Sequence, residues 1–150
     1  MLKRLCGPSG LGGLRGLRGV LGLGKRRAAR AEADELLRLA RASFVQMQAA
    51  WDRADLPALS RLATGPLLEE LRCQLQERGP ARNRTEVLSL QARLLSIDDL
   101  RDAQVASVEF SGLIQEDPVT GAAPFRELWL LANVKAAGHG WRLARVQALA

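Results

Sequence analysis

The chain has no tyrosine, one histidine and two cysteines in 150 residues, and each shortage closes off a class of function. The single histidine, His139, sits between Gly138 and Gly140. A tight turn of that kind offers no carboxylate or nucleophile to orient it as a general base. The serines have no G-x-S-x-G setting, so no catalytic residue is assigned. Cys6 and Cys73 fit no metal spacing and make no disulfide framework, and Cys73 reads as a small apolar residue on a helix. No cofactor or metal ligand is assigned; Asp98, Asp99 and Asp102 lack the spacing of a calcium loop and read as an acidic turn. Asn83-Arg84-Thr85 matches a glycosylation acceptor, a pattern too short to decide anything alone.

Long apolar runs are also missing. The first thirty residues are interrupted by Arg15 and Arg18 and never reach the ~20 apolar residues that span a bilayer. They also lack the continuous apolar centre of a secretory signal. Acid is absent there too: Lys3, Arg4, Arg15, Arg18, Lys25, Arg26, Arg27 and Arg30 give +8, whereas the other 120 residues hold 14 bases and 16 acids. The basic character therefore belongs to residues 1–30.

Glycine recurs every third residue from Gly7 to Gly22, with leucine and valine in the same period. Proline is too scarce for collagen, and each glycine inside a helix costs about 1 kcal/mol. The expectation is a disordered basic tail, 1–30, ahead of a folded domain, 31–150. Three uses fit its composition: contact with an anionic membrane surface through its eight basic residues, a plain linker, or an Arg-rich targeting peptide. It has no aromatic residue for stacking on bases, which disfavours nucleic acid.

What is present after residue 30 has clear periodicity. Leu37, Ala40, Phe44, Met47 and Trp51 form one stripe of a helix from Ala31 to Arg53. Asp55 is placed to cap a short helix through Ala63. Thr64 is placed to cap another, Pro66 to Arg78, with Leu67, Leu68, Leu71 and Leu75 as its stripe and Gly79-Pro80 as its stop. The period then becomes two. The first strand, Thr85–Ile97, has Leu88, Leu90, Ala92 and Leu94 on one face. The second, Ala103–Gln115, has Ala106, Val108, Phe110 and Ile114, with Gly112 marking a bulge. Turns around Glu116-Asp117-Pro118 and Gly138-His139-Gly140 lead to strands Phe125–Lys135 and Trp141–Leu149. The predicted class is α+β: three helices packed in a strongly curved antiparallel sheet.

In the third strand Leu128, Leu130, Ala132 and Val134 read as the inner face. Phe125, Trp129 and Leu131 then fall outside, as a candidate interface for a partner chain (a homodimer among them) or the docked tail, the alternative being Trp129 tucked against a neighbouring strand's outer face. An apolar pocket between helix and sheet would be lined by Phe44, Trp51, Val108, Phe110 and Leu130. On this reading the interior holds no acid or base.

Several runs carry a family resemblance: Phe44-Val-Gln-Met-Gln-Ala-Ala-Trp51-Asp52 with Asp55-Leu56, Leu71 to Gly79, Asn83-Arg84-Thr85-Glu86, Val108-Glu-Phe-Ser-Gly-Leu-Ile114, and Trp129 with Gly140-Trp141-Arg-Leu143. Over residues 35–149 the chain resembles the Tim44-like domain family, named for a subunit of the mitochondrial inner-membrane import translocase, within the nuclear transport factor 2-like superfamily. The resemblance implies a cone-shaped, non-catalytic module. It also implies contact with anionic lipid and with translocating or nascent polypeptide at the bacterial inner membrane, or at the matrix side of the mitochondrial one. The alternatives are a small-molecule-binding or isomerase-like enzyme on the same cone, or a ribosome- or RNA-associated protein using the basic tail.

Overall fold

The computed structural model of the chain describes residues 23–80, 84–116 and 119–149, with the side chains of 23–25 left aside. Helix α1 spans Leu23–Asp52, α2 Leu56–Leu62 and α3 Gly65–Arg78. Strands β1 (Glu86–Asp99), β2 (Ala103–Gln115), β3 (Ala123–Val134) and β4 (Trp141–Ala148) form one antiparallel sheet in sequential order. The three helices and four strands are those the periodicity predicts.

Helix α1 begins eight residues before the expected Ala31. Gly24 is the last glycine before a run of Lys, Arg and Ala, residues of high helix propensity. The rest of the expected disordered tail, residues 1–22, lies outside the described residues. The buried stripe of α1 is Leu36, Ala40, Phe44, Met47 and Trp51, joined by Ala50. Leu36 takes the place expected of Leu37, which is only partly buried.

The helix ends are tied to the sheet. The Asp55 side chain accepts a hydrogen bond from the Ala58 N–H and caps α2. Thr64 caps α3 without using its hydroxyl; its N–H instead donates to the Leu143 carbonyl at 2.8 Å, beside a parallel bridge from Ala63 to Leu143. The outer edge of β4 is thereby partly covered. At the far end of α1, Asp52 accepts from both the N–H and the hydroxyl of Thr85, at 2.6 and 3.0 Å. Arg78 donates to the Trp51 carbonyl at 2.6 Å with its guanidinium over the Trp51 ring.

Two register shifts in β1, between Val87 and Ser89 and between Leu94 and Ser96, reset which side chains face the core. Each adds one residue to β1 and switches the alternation. Leu88 and Leu95 are consequently 47% exposed, while Val87 and Ile97 pack on the core. Leu88 thus leaves the inner face on which simple alternation puts it. Gly112 lies opposite the first shift with φ +155°, and a Cβ there would stand 2.1 Å from the Ser89 carbonyl oxygen. The expected bulge is present, and glycine is what lets it close.

Candidate functional site

The interior between α1 and the sheet is an aromatic layer centred on Phe44. Its ring lies 4.8 Å from that of Phe110, 5.4 Å from Phe125 and 5.1 Å from Trp129, and Phe110 meets Trp129 edge-on at 5.0 Å. Such pairs add about 0.5–1.5 kcal/mol each beyond burial. The β2–β3 register explains the grouping. Trp129 pairs with Val108, Leu131 with Ala106, and Phe125 with Gly112, so the buried face of β2 continues onto these three positions of β3.

This inverts the expected facing of β3. Phe125, Trp129 and Leu131, read as an outer interface, are core residues, and Trp129 has no exposed surface. Leu128 and Leu130 lie on the opposite face, and Val134 is 38% exposed. The rings of Phe125 and Trp129 bury more area against Phe44 than a leucine row would. Of the predicted pocket lining, Phe44, Trp51, Val108 and Phe110 come together inside, and Leu130 does not. The rings touch one another, so the space between them is filled with side chains.

The inversion brings in a residue that alternation had put outside. Glu127, between Phe125 and Trp129 on the inward face of β3, is 1% exposed, and its Oε2 accepts a hydrogen bond from the Trp129 indole at 3.0 Å. The interior does hold an acid. Burial pushes the Glu127 carboxyl above the ordinary glutamate range, opposed by the indole hydrogen bond. The folded state therefore keeps the proton to higher pH than the unfolded chain. The stability this provides is fully present below the ordinary glutamate range and is lost as pH rises through the elevated value. The urea midpoint of the natural chain should fall across that window. Glu127→Gln, which still offers the indole an acceptor, should remove that part of the decline. Parallel pH slopes for the two proteins would contradict the assignment.

Gln48 is the other buried polar side chain, and neither amide atom has a partner among the described residues. Outside the core, α1 and α2 enclose an open groove of about 530 Å³ lined by Gln46, Ala49, Arg53, Ala58, Arg61 and Leu62. Arg53, in its lining, stands 3.5 Å from the Asp55 carboxylate. Cys73 is exposed on α3, contrary to the small apolar role expected of it. His139 is exposed beyond a 3-10 turn, Lys135–Ala137. Among the described residues no group of His, Cys, Asp or Glu is arranged to hold a metal.

The predicted basic contact divides in two. Lys3, Arg4, Arg15 and Arg18 lie outside the described residues, as do Cys6 and Asn83. Arg26, Arg27 and Arg30 stand exposed on the first turns of α1, continuing the helix beyond Lys25. Among the described side chains of α1 the first buried one is Leu36, and residues 26–35 ahead of it are exposed except half-buried Ala33, a helical arm leading into the core. No described helix is long and apolar enough to cross a membrane.

Comparison with known proteins settles the family. The sequence model of the Tim44-like domain matches residues 23–148. The chain belongs to the Tim44-like domain family. That match begins where α1 begins and ends with β4. The intermembrane-space region of the chloroplast protein ARC6 shares the fold of this Tim44-like domain, with TM-score 0.52 and 15% identity over 76% of this chain and 96% of that one. Weaker likenesses are to a ketosteroid isomerase-like protein from Erwinia carotovora atroseptica and a nuclear transport factor 2-like superfamily protein from Salmonella enterica. The first has TM-score 0.43, 16% identity and 76% and 96% coverage; the second has 0.44, 10% and 78% and 92%. No curated protein matches the chain.

Proposed function

We propose that this Tim44-like domain is a non-catalytic adaptor that attaches peripherally to an anionic inner-membrane surface and presents its folded cone to translocating or nascent polypeptide. The observation that carries the reading is the arm of α1. Arg26, Arg27 and Arg30 are held clear of the core on a helix, directly after a segment that holds five further bases and no acid. Basic residues near an anionic leaflet contribute about 1 kcal/mol each and lose it to screening at high salt. Glu127 supplies the interior acid that an enzyme on this fold would need. Its carboxyl is spent on an indole inside a layer of touching rings, which favours a packing role.

Flotation of the full chain on vesicles tests the proposal. Binding is expected to phosphatidylcholine vesicles containing phosphatidylglycerol, with release at high salt, and not to phosphatidylcholine alone. The variant Arg26→Gln/Arg27→Gln/Arg30→Gln keeps the helix propensity of the arm. At about 1 kcal/mol per charge it should bind roughly a hundredfold more weakly. Equal flotation of the variant, or binding indifferent to lipid charge, would remove the arm from the proposal.

A further inference from the structure

Strand β1 is an open edge. It ends the strand order, and among the described residues its backbone bonds to β2 alone. The opposite edge, β4, is partly covered by Ala63 and Thr64. At 14 residues β1 is the longest of the four strands. It contains neither proline nor lysine, residues that commonly blunt an edge. The bulges at Leu88 and Leu95 leave Ser89–Leu94 between them as six successive regular pairs, a run about 20 Å long. The side chains of β1 are unfinished as well, since none is fully buried. The inner row is closed at Val108 and Phe110 but only half closed one strand out, at their partners Leu94 and Ala92. Leu88 and Leu95 stand 47% exposed at the two ends of the run.

These features select the occupant. A free rim of N–H and C=O groups is satisfied by another extended backbone. Its residues beside Leu90, Ala92 and Leu94 continue the inner face and must be apolar. Those beside Gln91 and Arg93 face outward and must be polar. Arg93 is the one charged residue of the run; its side chain is 69% exposed and shares Glu109 with Arg126. A carboxylate on the polar side of the added strand complements it. A second copy pairing through Ser89–Leu94 would bring another arginine and no acid, and the chain's own first thirty residues carry only positive charge. An unfolded client chain supplies both the alternation and the acid.

We propose that β1 takes up an extended, unfolded polypeptide as a fifth strand along Ser89–Leu94, giving a place and a chemistry to the polypeptide contact of the function proposed above, on which this rests. Backbone hydrogen bonds supply affinity whatever the sequence, and the alternation of side chains supplies the preference.

The probe is a nine-residue peptide alternating threonine and valine, with one central threonine replaced by glutamate. Amide exchange of the full chain, read by NMR, should slow at alternate residues of Ser89–Leu94 when the peptide is added. N-methylation of one alternate set of peptide amides removes the donors that face β1 and should weaken binding about a hundredfold, while methylation of the other set should leave it. Lysine in place of the glutamate should bind about threefold more weakly, and Arg93→Glu should reverse that order. Equal binding of the two methylated peptides overturns the strand addition. Binding of the peptide, or of reduced and carboxymethylated lactalbumin, without slowed exchange in β1 also overturns it and leaves the polypeptide function standing. Failure of both probes to bind overturns the two together. Protection of β1 that grows with the concentration of the chain alone gives the edge to a second copy and overturns the client.

Discussion

Truncating Phe44 to alanine should lower the unfolding free energy by about 3–5 kcal/mol. The ring is fully buried and touches Phe110, Phe125 and Trp129, so its loss opens a void bounded by three rigid rings. Those rings sit on β2 and β3, which are held by an unbroken twelve-pair ladder and cannot close the gap by sliding. Domains of this size are stable by about 5–15 kcal/mol, so the variant should stand near the edge of folding. Phe44→Leu refills most of the volume and should recover more than half of the loss. Urea denaturation followed by tryptophan emission measures both. A loss below about 1 kcal/mol would mean that the interior is loosely filled, and the hollow cone expected from the sequence would return.

Gly112→Ala should be as damaging, for a different reason. The added Cβ would stand 2.1 Å from the Ser89 carbonyl oxygen and 2.8 Å from its carbon. Both are backbone atoms inside a paired strand, so no rotamer change relieves the overlap. The positive φ adds its own strain for any residue with a Cβ. Either β1 gives up its first register shift or the β1–β2 ladder opens near Ser89 and Leu113. The cost should reach about 3 kcal/mol or more, and amide exchange should accelerate at Leu90 and Leu113 before the rest of the sheet. Ser111→Ala, one residue away on the outer face, should be nearly silent. If the two substitutions behave alike, the bulge is not held by Gly112.

Much of this architecture could be read before any coordinates, because the hydrophobic period changes from helical to alternating between Gly79 and Thr85. Gly112 announced its bulge, Asp55 its cap and Gly79 its stop. Three features could not be read in the same way. Alternation states that Phe125, Trp129 and Leu131 share a face, but which face is inward depends on their pairing with Val108 and Ala106. Glu127 argued for the wrong answer, since a carboxylate usually marks the solvent side. Leu88 was misplaced because one inserted residue exchanges the faces of everything on one side of it. The helical arm was missed since the glycine repeat of the preceding segment masked the Lys-Arg-Ala run that follows Gly24.

The order of elements along the chain has a consequence for synthesis. Every strand pairing joins neighbours in sequence, so each hairpin closes as its second strand leaves the ribosome. The aromatic partners of Phe44 on the stripe of α1 are not local. Phe110, Phe125 and Trp129 follow Phe44 by 66, 81 and 85 residues. From the moment it emerges until β3 is made, α1 carries Phe44 without the rings of Phe125 and Trp129, the kind of surface that collects non-native contacts in unfinished chains. The sheet can assemble in steps; the helix must wait for it.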